Sequence, residues 1–202
     1  MKRFFIAGAL LFLLGSLPAA AYKLEYKEQL YPLIQYHLSM YPRDWAENVQ
    51  WLDMALHADF ANPLYALAKI SNPTQWEFYR DLFMMHLNLK MVEQYLEWGA
   101  EFDKFNAYFF NYPWKQENLD SLNKAEALFK YSLKYWTEAK KWSDLASAQK
   151  FRWMSLDGIE YWQDESYRIQ HGELDYNFIV NRHLAHLESV RKAFEVMNKS
   201  TY

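Results

Sequence analysis

His183 and His186 lie one helical turn apart near the carboxyl end of the chain, and Glu188 follows two residues later. Two imidazoles at that spacing can share a metal ion, but a complete site needs ligands from another element. The His-Glu-x-x-His motif of zinc hydrolases is missing, and Leu187 and Val190 beside His186 fit a histidine at a core boundary. Asp53 and His57, with Asp59 close behind, could pass a proton. On a helix the same spacing gives an ordinary surface contact. The pairs Glu97 with Glu101, and Asp164 with Glu165, read as solvated helix faces. No Gly-x-Ser-x-Gly elbow, Gly-rich phosphate loop or phosphate-cradling lysine occurs. The chain has no cysteine, which excludes disulfides, thiolate chemistry and haem attachment through Cys-x-x-Cys-His. No catalytic residue, metal or cofactor is therefore assigned, and an enzyme is not expected. Carboxylates from distant helices can still meet in space, which keeps a catalytic alternative open.

Aromatic residues are the most distinctive feature, with nine Trp and sixteen Tyr. They cluster at Tyr108-Phe109-Phe110-x-Tyr112-x-Trp114 and at Tyr131-x-x-x-Tyr135-Trp136. Most should be core, where a fully buried ring contributes roughly 1.5–3 kcal/mol. A single domain cannot easily bury so many Tyr and Trp with every polar tip satisfied. A minority should line a concave partner-binding face, since Tyr and Trp anchor interfaces. Tyr112, Trp114, Trp136 and Trp142 are the expected anchors.

The elements that must position these groups are helices. Only five Gly and six Pro occur in 202 residues, few for a β-rich domain with frequent turns. The central element starts at Asn72-Pro73, a helix cap followed by a proline in the first turn. One stripe runs through Trp76, Tyr79, Phe83, Leu87, Met91, Tyr95 and Trp98, and a second through Leu82, Met85, Leu89, Val92 and Leu96. Two stripes predict a helix with neighbours on two faces. Phe102, Phe105, Tyr108, Phe109 and Tyr112 follow before Pro113 ends the run. Upstream, residues 22–41 read as one helix or two short ones broken near Pro32, and Asp44 leads into a helix with Trp45, Val49, Leu52 and Leu56 inward. Asn62-Pro63 should start a short helix over 64–70. Downstream, Leu119, Leu122, Phe129, Leu133 and Trp136 mark the next helix. Ser143 or Asp144 should cap another that runs through Leu145, Trp153 and Trp162 with Gly158 inside it. His171-Gly172 is a stop, and Asp175 caps the last helix. The expectation is six or seven helices, no strand, and an all-α fold of antiparallel helical hairpins closed as a bundle or stacked as a tetratricopeptide-like solenoid.

The first residues read as a targeting segment. Lys2 and Arg3 precede the apolar run Phe4 to Leu17, and Pro18-Ala19-Ala20-Ala21 offers a small-residue cleavage site before Tyr22. The run is shorter than the roughly 20 residues of a spanning helix. The expected organisation is a signal peptide over 1–21 and one helical domain over 22–202, exported to a periplasm with no stable membrane span after cleavage. Once Lys2 and Arg3 leave with the segment, the remaining acidic residues outnumber the basic ones. That balance argues against nucleic acid, whose phosphates select a basic stripe.

From Trp76 the tetratricopeptide pattern is partly met by Trp76-x-x-Tyr79-Arg80-x-x-Phe83 and Val92-x-x-x-Leu96, but the diagnostic Gly and Ala are missing and no second copy follows one period on. The export segment, Asn62-Pro63-Leu64-Tyr65-Ala66-Leu67-Ala68 and Lys104-Phe105-Asn106-Ala107-Tyr108-Phe109-Phe110-Asn111-Tyr112-Pro113-Trp114 together resemble small exported helical proteins of spirochaetes. Some of those have tetratricopeptide-like helices and belong to the collar around the flagellar motor. The resemblance covers residues 44–145 by general character and transfers no catalytic residue. It implies a periplasmic scaffold or adaptor whose partners are envelope proteins, flagellar motor components among them. The alternative is a periplasmic binding protein or enzyme acting on an envelope glycan or peptide in an aromatic-lined cleft.

Overall fold

The computed structural model describes residues 24–104 and 111–201. Within them the chain is all-α. Its helices are α1 (Lys27–Met40), α2 (Trp45–His57), α3 (Pro73–Ala100), α4 (Lys115–Ala146), α5 (Glu160–Gln170) and α6 (Tyr176–Glu195). Single 3-10 turns lie at Pro63–Tyr65, Tyr112–Trp114 and Gln149–Phe151. The leader and residues 105–110 of the aromatic cluster lie outside the described residues. Among the described residues, no helix is long and apolar enough to cross a membrane.

Helix α3 begins where the sequence places it, with the Asn72 side chain accepting from the Gln75 N–H at 2.9 Å and Pro73 in the first turn. Both of its stripes are covered: Tyr79, Phe83, Leu87 and Met91 on one, Leu82, Met85, Leu89 and Val92 on the other, are buried. Its partner is α4, which returns antiparallel. Phe78 near the start of α3 stacks on Phe151 just beyond α4, with ring centroids 5.0 Å apart, while Tyr95 packs against Tyr131 and Tyr135. Near the end of α3, Gly99 lets the two backbones approach. A Cβ added there would sit 2.5 Å from the buried Phe129 ring.

The other helices lean on this pair. α6 lies along α4 and closes a second cluster of Leu122, Ala125, Phe129, Val180, Leu187 and Phe194. α5 reaches both members, stacking Trp162 on Phe83 at 4.9 Å and placing the Ser166 hydroxyl 3.0 Å from that of Ser143. α2 packs on α3, and α1 on α2. Two consecutive buried charges tie α1 to the segment after α2. Lys27 Nζ donates to the carbonyls of Ala55 and Leu56, both at 2.8 Å, and to that of Ala58. These are orphan acceptors at the carboxyl end of α2, where a cation also meets the negative end of the helix dipole. Glu28 next to it accepts from the Ala61 N–H at 2.8 Å.

Of the two readings of residues 22–41, the single helix is the one observed: Pro32 lies on the solvent side of α1, and Leu30, Tyr31 and Ile34 bind both halves into the core. Three other sequence readings are corrected. The helix expected over 64–70 is only the turn Pro63–Tyr65, because Asn62 caps Leu64 and the chain then extends. Gly158 is not inside a helix. It has φ +94°, in the left-handed region where glycine is favoured, and it turns the chain into α5. Ser143 is likewise no cap, since α4 continues past it to Ala146.

Gly99→Ala gains helix propensity worth about 1 kcal/mol but drives a methyl into Phe129, and overpacking costs about 1–3 kcal/mol. We expect a net loss of stability, read as a lower urea midpoint. A midpoint equal to or above the parent would show that Phe129 can move aside.

Candidate functional site

His86 sits on the buried side of α3, one turn after Leu82 and Phe83, and has no exposed surface. A buried imidazole needs a partner at each nitrogen. Nδ1 lies 2.6 Å from Glu165 Oε2 on α5, and Nε2 lies 2.9 Å from the Tyr31 hydroxyl on α1. The Tyr31 hydroxyl is also hydrogen-bonded to that of Tyr161. Trp162 stacks on the imidazole with centroids 5.1 Å apart, and Tyr161 meets it edge-on at 5.3 Å. Glu165 is largely covered, while Tyr161 is about half exposed. The chain of hydrogen bonds therefore runs from a covered carboxylate to a phenol at the surface.

The carboxylate sets the direction of that chain. An ionised Glu165 can only accept, so Nδ1 carries the proton. Nε2 then accepts from Tyr31 O–H, and Tyr31 accepts from Tyr161 O–H. Adding a proton to Nε2 would reverse both hydroxyls without moving a heavy atom. The geometry can thus carry a proton between His86 and the surface at Tyr161. Burial, and next the Tyr161 hydroxyl, push the Tyr31 phenol well above its ordinary range, so Tyr31 stays neutral at physiological pH.

Alongside, Lys90 pairs with Glu93 at 2.7 Å, and Tyr176 donates to Glu93 at 3.4 Å. Burial opposes the charge on Lys90, but Glu93 outweighs it and the ammonium is held above its ordinary pKa. One turn before His86, Asp81 is 9% exposed; desolvation and then the Glu77 carboxylate raise its pKa from 3.8 to about 6. A cleft of about 380 Å³ between α3, the segment after α4, and α5 is lined by Phe78, Leu82, Phe151, Met154 and Gln170 among others. None of Tyr31, His86, Tyr161 and Glu165 lines it.

The expected anchors fall apart as a set. Tyr112 and Trp114 share the turn before α4 and are 37% and 50% exposed. Trp142 is half-buried on α4. Trp136 is 2% exposed and is a core residue, not a surface anchor, because α6 starts at Tyr176 with its ring 5.4 Å away. Asp53 and His57 form the exposed contact that their spacing suggests, at 3.5 Å. Glu165 is not on a solvated face, being turned inward by His86. His183 packs on the Phe129 ring at 4.7 Å, and burial lowers its pKa. Among the described residues, no group of three or more His, Asp or Glu could hold a metal ion. His86 itself was missed. Its only sequence signal is a histidine filling a core position between Leu82, Phe83 and Leu89.

Residues 74–197 match the family described as Domain of unknown function (DUF8513). The chain belongs to that family. No curated protein and no solved structure matches it. The family region runs from the first turn of α3 to just past α6, so it contains His86, Tyr161 and Glu165. Tyr31 lies outside it and reaches the cluster from α1.

Two outcomes follow from this geometry. Tyr31→Phe removes the hydroxyl that serves both His86 and Tyr161 and should cost about 1–3 kcal/mol, whereas Tyr161→Phe, at the wet end, should cost less. Urea unfolding of both variants checks the order, and equal losses would contradict the cluster. Because the folded-state pKa of Asp81 is raised, the stability it contributes is full below 3.8 and is lost as pH rises through about 6. Asp81→Asn should flatten the fall in unfolding free energy over that interval and stabilise the protein near neutrality.

Proposed function

We propose that this chain is an exported helical scaffold that works by contact with other envelope proteins. One contrast carries the reading: the polar side chains that converge do so inside the protein and satisfy one another, while bulky apolar side chains remain outside. Leu33, Tyr36 and Met40 form an exposed stripe on α1, and Tyr41, Tyr112 and Trp114 are exposed as well. Tyr and Trp so placed are the usual anchors of protein interfaces. The anchors then reduce to Tyr112 and Trp114 on the turn before α4, since half-buried Trp142 lies near the opposite end of that helix, roughly 40 Å away. The flagellar motor collar is the assembly to which the sequence resemblance points.

The reading as a binding protein or enzyme for a glycan or peptide draws on the 380 Å³ cleft, whose floor is apolar and partly aromatic. Several of its polar groups are engaged with the protein itself, although the Arg152 side chain also lines it. Gln170 donates to Ser143 and Asp144, the His171 ring bonds the Tyr167 carbonyl, and Ser166 bonds Ser143. No acid pair converges in the lining, and the scaffold reading is preferred.

Cross-linking and affinity capture from cell envelopes with the tagged chain tests the proposal. Envelope-machine proteins should be recovered, and Tyr112→Ala combined with Trp114→Ala should weaken capture by about 30-fold or more, the loss of roughly 2 kcal/mol that marks a hot spot. A monomer that recovers no protein partner would overturn it.

A further inference from the structure

We propose that Tyr31 is a redox-active phenol: it supplies one electron to an outer-sphere one-electron oxidant at the protein surface while its proton passes to His86. A phenol that loses an electron becomes a very strong acid, so its oxidation is easy only where a base already holds the proton. Tyr31 has that base. Its hydroxyl donates to His86 Nε2 at 2.9 Å, and the opposite nitrogen, Nδ1, is anchored on Glu165 at 2.6 Å. The step breaks the Tyr31 O–H bond, forms Nε2–H and reduces the oxidant by one electron. It leaves a neutral phenoxyl radical and an imidazolium, and no heavy atom has to move. Glu165 then faces a cation in place of a neutral ring, a pairing that a low-dielectric interior strengthens. When a small one-electron donor such as ascorbate returns the electron, the proton goes back to the Tyr31 oxygen.

A path of rings connects this phenol to the surface. Half-buried Trp76 stacks on Tyr79 with centroids 5.2 Å apart, Tyr79 meets Trp162 at 6.0 Å, and Trp162 meets Tyr31 edge-on at 5.5 Å. From the other side, half-exposed Tyr161 lies 5.7 Å from Trp162. The electron vacancy passes along these rings and settles on none of them. The Arg80 guanidinium, 5.9 Å from the Trp76 ring, opposes a positive charge there. The buried Trp162 N–H has no hydrogen-bonded base to take its proton. Tyr161 donates only to another phenol. Tyr79 has the Glu28 carboxylate near its hydroxyl, by type a weaker base than an imidazole. Tyr31 itself is 7% exposed, which shields its radical from solvent and from other chains. The chain has no cysteine, so no thiol intercepts the vacancy. This chemistry lies in the interior and needs no protein partner, so it and the scaffold reading fail separately.

Flash-quench oxidation of the full-length protein tests the proposal, with photogenerated tris(bipyridine)ruthenium(III) as the oxidant. Transient absorption and electron paramagnetic resonance distinguish phenoxyl from indole radicals. The folded protein should show a neutral phenoxyl signal that outlives the radicals of exposed tyrosines by an order of magnitude or more. Tyr31→Phe should remove that long-lived component, and Tyr65→Phe, at a 73% exposed position, should leave it in place. Unfolding the parent in urea should remove it as well, a check that needs no variant. A folded parent without the long-lived phenoxyl would overturn the proposal. So would a component that persists in Tyr31→Phe or in the urea-unfolded chain.

Discussion

A fully buried imidazole cannot be left half satisfied, and much of this fold follows from that constraint. Burying a polar group without a partner costs a sizeable fraction of a domain's total stability. His86 lies in the middle of α3, with no contact to water. Its two nitrogens are served by Tyr31 from α1 and Glu165 from α5, so three helices distant in sequence must stand at fixed heights relative to one another. Apolar packing supplies most of the driving force, through Tyr79, Phe83, Leu87 and Trp162. It does not discriminate sharply between one helical turn and the next. A hydrogen-bonded node does.

The same device recurs where α1 and α2 meet α3. Asn48 on α2 donates to Gln94 on α3 at 2.9 Å and to the Tyr41 carbonyl at 3.2 Å, and its side-chain oxygen lies 2.7 Å from His37 Nδ1. Lys27 fixes the start of α1 against the carboxyl end of α2. Burial pushes the Lys27 ammonium down to about 8 against the opposing pull of the Glu28 and Asp59 carboxylates, and the carbonyls around it accept its hydrogen bonds. These nodes attach α1 and α2, which lie outside the matched family region, to α3 inside it.

How much of this could be read from the sequence depends on whether the signal was periodic or single. The two stripes of α3, the Asn72-Pro73 start and the Asp175 cap are periodic or local signals, and the structure places them as read. Pro32 left two readings open, and Gly158 was misread. A proline is tolerated when its helix packs firmly on one side, and a glycine in an apolar stretch can mark a turn whose φ no periodicity reveals. Trp136 was misplaced because one helix with neighbours on several sides has no single outer face. His86, Tyr31 and Glu165 carry no sequence spacing at all, since their meeting depends on how α1 and α5 cross α3. Clusters of that kind are invisible until the fold is known.

Fixing register is also what a scaffold needs. A catalytic cluster must leave one valence open toward a substrate, at the end of a cleft. Here the polar valences close on each other, and the one that reaches the surface, at Tyr161, opens outside the 380 Å³ cleft. What the nodes gain is rigidity in the relative heights of α1, α3 and α5, and hence in the pattern of side chains that those helices display. Leu33, Tyr36 and Met40 are presented by α1, the same helix that Tyr31 holds in place. Binding through a surface fixed in advance loses less entropy than binding through one that must be ordered on contact. A buried histidine thus has a physical role of its own, because it sets the shape of the exterior from within.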